Sequence, residues 1–276
     1  MITRVTRLVR AESIKLLANP FFYISLAILV MAPLAAIFFQ TLLFGQKETV
    51  WRSYNSIQLF SYGFKSGTFF ATILLLVFSS MMFAGEFDRG TIKNLLTRPI
   101  TRTDFFLAKG ATVVALGTFF FLLVLYVSLL YAFIFGELGP VWDSGQYLIQ
   151  RDYRDIVSFA RKAVLMSYLP LLAAGFLGIL VSNWTESSGY AVAIALVLYI
   201  LGNMVTGWLS TAAQQNVFFY YGSYALDKLR LYAEGGTEFW DKRIEEGLLY
   251  VKVPLAYIAA FIPPAYAIFR SRSIHA

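Results

Sequence analysis

Six stretches of this chain lack Asp, Glu, Lys and Arg altogether: residues 16–46, 66–85, 110–136, 163–185, 187–226 and 253–269. They hold 31, 20, 27, 23, 40 and 17 residues. A helix needs about 20 apolar residues to cross the hydrocarbon layer. Within that layer only helices and closed barrels satisfy every backbone N–H and C=O. Barrel strands would alternate in polarity over about ten residues, and these runs do not alternate. The chain is 14% charged, against about 25% in a soluble domain, so it has too little charge to coat a soluble surface. The expected fold class is an all-α membrane protein, a single transmembrane domain over residues 1–276. Six transmembrane helices are expected near 20–44, 66–86, 107–135, 163–182, 188–210 and 251–270. The 40-residue run is too long for one span, and Gln214, Gln215 and Asn216 divide it.

Six spans put both termini on one side. That side carries 11 basic and 5 acidic residues, net +6, and the opposite side is net +1. Its loops are also the short ones, where basic residues weigh most in setting orientation. The termini are therefore expected in the cytoplasm. Before the first span, Ile2, Val5, Leu8, Val9 and Leu16 recur at helical spacing with Arg4, Arg7, Arg10 and Lys15 between them. This pattern suits an interfacial helix over residues 1–19, its basic face toward lipid phosphates. The outer loops near 137–162 and 211–250 read as short amphipathic helices, the second broken at Gly235 and Gly236. The aromatic residues of 218–224 suit an interfacial belt that anchors the loop on the membrane. The first apolar run is too long for a cleavable signal peptide.

No constellation of catalytic residues emerges. The chain has no Cys and one His, the next-to-last residue His275, so a His/Cys metal cluster is excluded. GFKSGT at 63–68 lacks the phosphate-loop spacing and falls at the start of a span. Asn183-Trp184-Thr185 matches a glycosylation sequon but falls on the cytoplasmic side. Ionisable residues are missing from the middle of the spans, which argues against a proton-coupled transporter or an intramembrane protease. Gln40, Asn203 and Thr206 are expected to hydrogen-bond between helices. The chain reads as a membrane body without an engine, not as an enzyme.

Residues 83–110, FAGEFDRGTIKNLLTRPITRTDFFLAKG, break this apolar pattern with eight charged residues between two spans. Ile92, Leu95 and Leu96 stand at i, i+3 and i+4 and share one helix face. Pro99 disfavours helix at Arg98, which limits that helix to about two turns. Thr101 with Asp104 has capping-box spacing for the next span. An exposed Ile-Leu-Leu face needs a cover, and two turns are marginal alone in water. Lipid or a protein partner must hold it.

The series Glu86, Gly90-Thr91-Ile92, Leu95-Leu96-Thr97, Pro99, Thr101-Arg102 and Lys109 resembles the first cytoplasmic loop of ABC-2 type transporter permeases. The match is local, about 25 residues, and the rest agrees at the level of topology. The resemblance implies a permease subunit in a bacterial cytoplasmic membrane, paired with a second protomer, identical or not. It implies cytoplasmic ABC ATPase subunits that bind ATP and Mg, with no cofactor in this chain. It implies that residues 88–97 carry a short cytoplasmic coupling helix seated in the ATPase. The expected coupling residues are Glu86, Asp88, Arg89, Gly90, Thr91, Ile92, Leu95, Leu96, Pro99 and Arg102. Glu86 is expected to brace the end of the second span against Arg89, Arg102 or Lys109, and Gly90 to permit a sharp turn. The function so implied is ATP-driven export of an unidentified substrate. Aromatic spans without buried charge suit an apolar or amphipathic cargo, and suit lipid contact equally. One alternative is a membrane anchor or mechanotransmission subunit driven by an ABC ATPase. Another, disfavoured by the missing catalytic clusters, is a lipid-modifying membrane enzyme. Membrane lipids are expected partners; nucleic acid is not.

Overall fold

The computed structural model describes residues 2–44, 56–90, 101–136, 153–233, 244 and 247–272. Among these residues every regular element is helical. The helices are α1 (Ile2–Leu17), α2 (Pro20–Phe44), α3 (Ser56–Asp88), α4 (Arg102–Phe135), α5 (Tyr153–Trp184), α6 (Ser188–Trp208), α7 (Thr211–Gln214), α8 (Phe218–Ala233) and α9 (Leu249–Ser271). Six of them, α2, α3, α4, α5, α6 and α9, are long and apolar enough to cross a membrane. The chain is a multi-pass membrane protein.

Several helices outrun their apolar runs. α3 has 33 residues, about 50 Å at 1.5 Å per residue. The hydrocarbon layer is about 30 Å thick, so this helix extends beyond it. α5 begins at Tyr153 rather than near 163. Its first turns were expected as a separate loop helix, but no Gly or Pro interrupts the chain between Tyr153 and Tyr168. Ile156 is buried with Ile57 and Ala233, so tertiary contact extends the helix outward.

α3 and α5 form the centre. Their most apolar stretches are 72% and 67% buried, against 11% for α9. Small residues set this geometry. A Cβ on Gly178 of α5 would lie 2.0 Å from Ser79 Oγ and 2.9 Å from the Leu76 carbonyl oxygen of α3. A Cβ on Gly117 of α4 would lie 2.8 Å from Leu172 and 2.9 Å from Leu75. Close backbone approach at small residues is how membrane helices gain dispersion contact when lipid is as apolar as their side chains.

The exposed rings of α6 are spaced as a bilayer requires. Tyr190 and Trp208, near opposite ends of α6, are 72% and 80% exposed. Eighteen residues separate them, about 27 Å along the axis, which matches the hydrocarbon thickness. Amphipathic rings favour both interfaces. α8 departs from expectation. Phe218 and Tyr221 are 1% exposed, and Phe218 packs against Tyr257 and Phe261 of α9 at ring-centroid distances of 5.1 and 6.1 Å. Leu226 and Leu229 join the main core. This outer helix is therefore part of the bundle, not an anchor on lipid. Its Asp227 pairs with Lys65 of α3. Asn203 and Thr206 donate to Tyr199 and Gly202 carbonyls of their own helix, because a carbonyl one turn back is the nearest acceptor.

Candidate functional site

The charged segment singled out in the sequence leaves α3 at Asp88 and rejoins α4 at Arg102. Residues 91–100 lie outside the described residues, and with them Thr91, Ile92, Leu95, Leu96 and Pro99. The two roots of the segment are described, and both are fastened to other helices.

At the first root, α3 ends in a tight turn. Gly90 has φ +65, and its N–H donates to the Phe87 carbonyl at 3.0 Å. This is the left-handed cap that glycine adopts without a Cβ clash. Arg89 and Gly90 are exposed. Asp88 turns toward α6, where its Oδ2 accepts from the Ser188 hydroxyl at 2.8 Å and the Ser188 N–H at 3.5 Å. A carboxylate at a helix N-terminus is favoured by the unpaired N–H groups and by the helix dipole.

Glu86 is 8% exposed and sits in a ring of four charges. Its Oε1 accepts from Lys15 at 2.7 Å and from Lys109 at 3.4 Å. Glu12 closes the ring, accepting from Lys109 at 2.8 Å and Lys15 at 3.0 Å. Two acids and two lysines alternate, so the cluster is neutral as a whole. Lys109 is 2% exposed, and its ammonium lies 5.1 and 6.0 Å from the centroids of the Phe105 and Phe83 rings. Ring faces add to the attraction on a desolvated cation. The ring fastens α1 to both α3 and α4.

Of the three partners expected for Glu86, Lys109 takes that role. Arg102 at the second root instead donates to the carbonyls of Arg270 and Arg272 at 2.7 and 3.1 Å. It thereby satisfies acceptors that the end of α9 leaves open. Arg272 in turn donates to the Asn183 and Thr185 carbonyls at the end of α5, at 3.2 and 3.1 Å. Its guanidinium stands 4.2 Å from the Phe87 ring centroid. Thr101 caps α4 as expected, accepting from the Asp104 N–H at 3.1 Å. The sequon is closed to modification: Asn183 is fully buried and its Nδ2 donates to the Ile179 carbonyl.

Glu12 and Lys15 were missed in the sequence. One signal pointed to Glu12: it is the only acid among the first 47 residues, on a helix otherwise basic. Burial raises the demand for such a partner, since an unpaired charge away from water is expensive. Lys15, outside the spans, has its pKa moved by burial and by its two carboxylate partners. Burial alone would lower it. The hydrogen bond to Glu86 and the charge of Glu12 outweigh burial and hold it above the ordinary lysine value.

The arrangement has no nucleophile paired with a base, and among the described residues no cluster could hold a metal ion. The first root of the 89–101 segment is tied to α1, α4 and α6, and the second to α9 and, through Arg272, to α5.

Residues 8–202 match the family described as ABC-2 family transporter protein. The chain is 24% identical over 211 residues to the uncharacterized protein YhcI of Bacillus subtilis (strain 168), across 75% of this chain and 66% of that protein. It is 27% identical over 125 residues to the uncharacterized membrane protein YdbK of the same organism, across 45% of this chain and 47% of that protein. The chain thus spans about half to two thirds of the length of these relatives. With the family match covering most of the chain, and its motif residues at the roots of one segment, this protein belongs to the ABC-2 family of transporter permeases.

Proposed function

We propose that the chain is the permease subunit of an ATP-driven exporter in a bacterial cytoplasmic membrane, with the Glu86 end of the bundle facing the cytoplasm. A separate ABC ATPase binds ATP and Mg, and a second permease protomer completes the path. The cargo leaves the cytoplasm or the inner leaflet and is apolar or amphipathic. The observation that supports this reading best is the fastening of both roots of the 89–101 segment to surrounding helices. A loop that only connects two spans needs no such ties. Residues 88–97 carry the contact with the ATPase, and Ile92, Leu95 and Leu96 form its apolar face. Asp88 serves from behind, holding α6 to the root.

The test is a pull-down of the ATPase that co-purifies with the wild-type chain, with each variant checked for membrane insertion. Burying an unpaired charge costs at least several kcal/mol. Leu95→Asp is expected to insert normally and to lose ATPase binding, while Lys93→Asp on a more exposed face does less. Normal binding and transport by Leu95→Asp would remove the coupling assignment.

A further inference from the structure

Just before the first root, α3, a continuous helix from Ser56 to Asp88, is engaged along its backbone by another helix. The backbone N–H groups of Phe83 and Ala84 both donate to the hydroxyl of Ser182 on α5, at 2.9 and 3.0 Å. Inside a helix such groups belong to the carbonyls four residues back. A foreign side chain that engages two consecutive N–H groups weakens that ladder and marks a place where helices bend. Two further bonds act on the same turns. The Ser79 and Ser80 hydroxyls donate to the carbonyls of Leu76 and Val77, three residues back, at 3.0 and 2.8 Å. Serine bonding back to its own helix also favours a bend. Ser79, Ser80 and Ser182 are all fully buried.

Gly85 supplies an independent observation. A Cβ there would meet nothing within 4 Å, and its φ is not in the left-handed region. Neither packing nor a turn requires glycine at this position. In a helix interior glycine lowers stability by roughly 1 kcal/mol relative to alanine. What it adds here is freedom, one residue before Glu86 and three before Asp88.

We propose that residues 79–85 of α3 are a hinge, kept open by the Ser182 hydroxyl, about which the last turn of α3 tilts against the rest of the span. Glu86 and Asp88 ride on the moving side. Their ties to Lys15, Lys109 and Ser188 move with them, while the close contacts of Leu75 with Gly117 of α4 and of Leu76 with Gly178 of α5 stay on the fixed side. Ser182 is a positioning residue: it acts through the α3 backbone and touches no cargo. The use of this hinge rests on the coupling role proposed above; its existence does not.

Two measurements separate those claims. The first needs only the full chain in lipid nanodiscs. Amide hydrogen exchange at Phe83 and Ala84 is followed by mass spectrometry for the wild type, Ser182→Ala and Gly85→Ala. If Ser182 holds the ladder open, its removal lets both N–H groups return to the Ser79 and Ser80 carbonyls. Exchange then slows severalfold, because an acceptor within the same helix replaces one on another helix, and the thermal midpoint is kept. If Ser182 is only the partner that satisfies two stranded N–H groups, exchange quickens and the hinge is overturned. Gly85→Ala is expected to slow exchange in the same direction while leaving Ser182 in place. Unchanged or quicker exchange in Gly85→Ala also counts against the hinge. The second measurement adds the ATPase. Because the chain has no cysteine, spin labels at Phe87→Cys, outside the proposed ATPase contact, and Phe69→Cys report the distance across the hinge along α3. A nucleotide-dependent change in wild type that is lost in both stiffened variants supports the proposal. A change that survives in both overturns it. Failure of the wild type to bind the ATPase would sink the coupling role and leave the exchange result to judge the hinge.

Discussion

Lys109 pairs with the same two carboxylates as Lys15, but its side chain is 2% exposed against 51%. Replacing it by methionine keeps much of the side-chain volume and leaves Glu86 and Glu12 facing each other with one cation between them. Removing one partner of a buried ion pair costs about 3–5 kcal/mol. Lys109→Met is expected to lower the thermal midpoint in detergent sharply, and Glu86→Gln in the same background to recover part of the loss. Gly90 shows a different kind of dependence. Its φ of +65 strains any residue with a Cβ, although open space surrounds it. Gly90→Ala should cost about 1 kcal/mol, and Gly90→Asn less, because asparagine visits this region more readily. The same denaturation series measures both. For Lys15, a folded pKa raised above the ordinary value means that its contribution is complete at lower pH. It is lost only as pH rises through that folded value. The stability gap between wild type and Lys15→Gln should stay constant from about pH 6 to about pH 9 and close only in stronger alkali.

Helix contacts divide into those fixed by packing and those facing lipid, and glycine substitutions separate them. Gly178 lies where α3 and α5 touch backbone to side chain, and an added methyl meets Ser79 at 2.0 Å. Forcing a methyl into a packed interior costs about 1–3 kcal/mol, sometimes more. A Cβ on Gly207 of α6 would meet nothing within 4 Å. Gly178→Ala should therefore destabilise the bundle markedly, and Gly207→Ala should be neutral or slightly stabilising. Thermal midpoints of the two variants in one detergent give the comparison. Equal effects would show that the central crossing is looser than the distances indicate.

The molecule as a whole has an order that follows from its charges. The side with Glu86 carries the larger positive excess, and that side is proposed to face the cytoplasm. Single cysteines can be introduced freely, since none is present. Cysteine at Thr97 should be labelled only from the cytoplasm, and cysteine at Asp143 or Glu238 only from outside. The reversed pattern would invert the proposed direction of transport. The purified chain alone should hydrolyse no ATP.

The sequence by itself determined the helical class and the six crossing segments. Length of charge-free run and the demand for backbone hydrogen bonds in lipid are local quantities, visible in one dimension. It also located the segment after Glu86, its glycine turn and the Thr101 cap, because caps and turns act over three or four residues. Tertiary structure alone decided who meets whom. Glu12 and Lys109 are 97 residues apart, and Arg102 and Arg270 are 168 apart. No periodicity links such positions; they meet because small residues let α3, α4 and α5 close on one another and bring the helix ends together. The outward extension of α5 and the burial of α8 have the same cause. An apolar residue such as Ile156 or Phe218 suits lipid and protein interior equally, and only a neighbour of matching shape chooses between them.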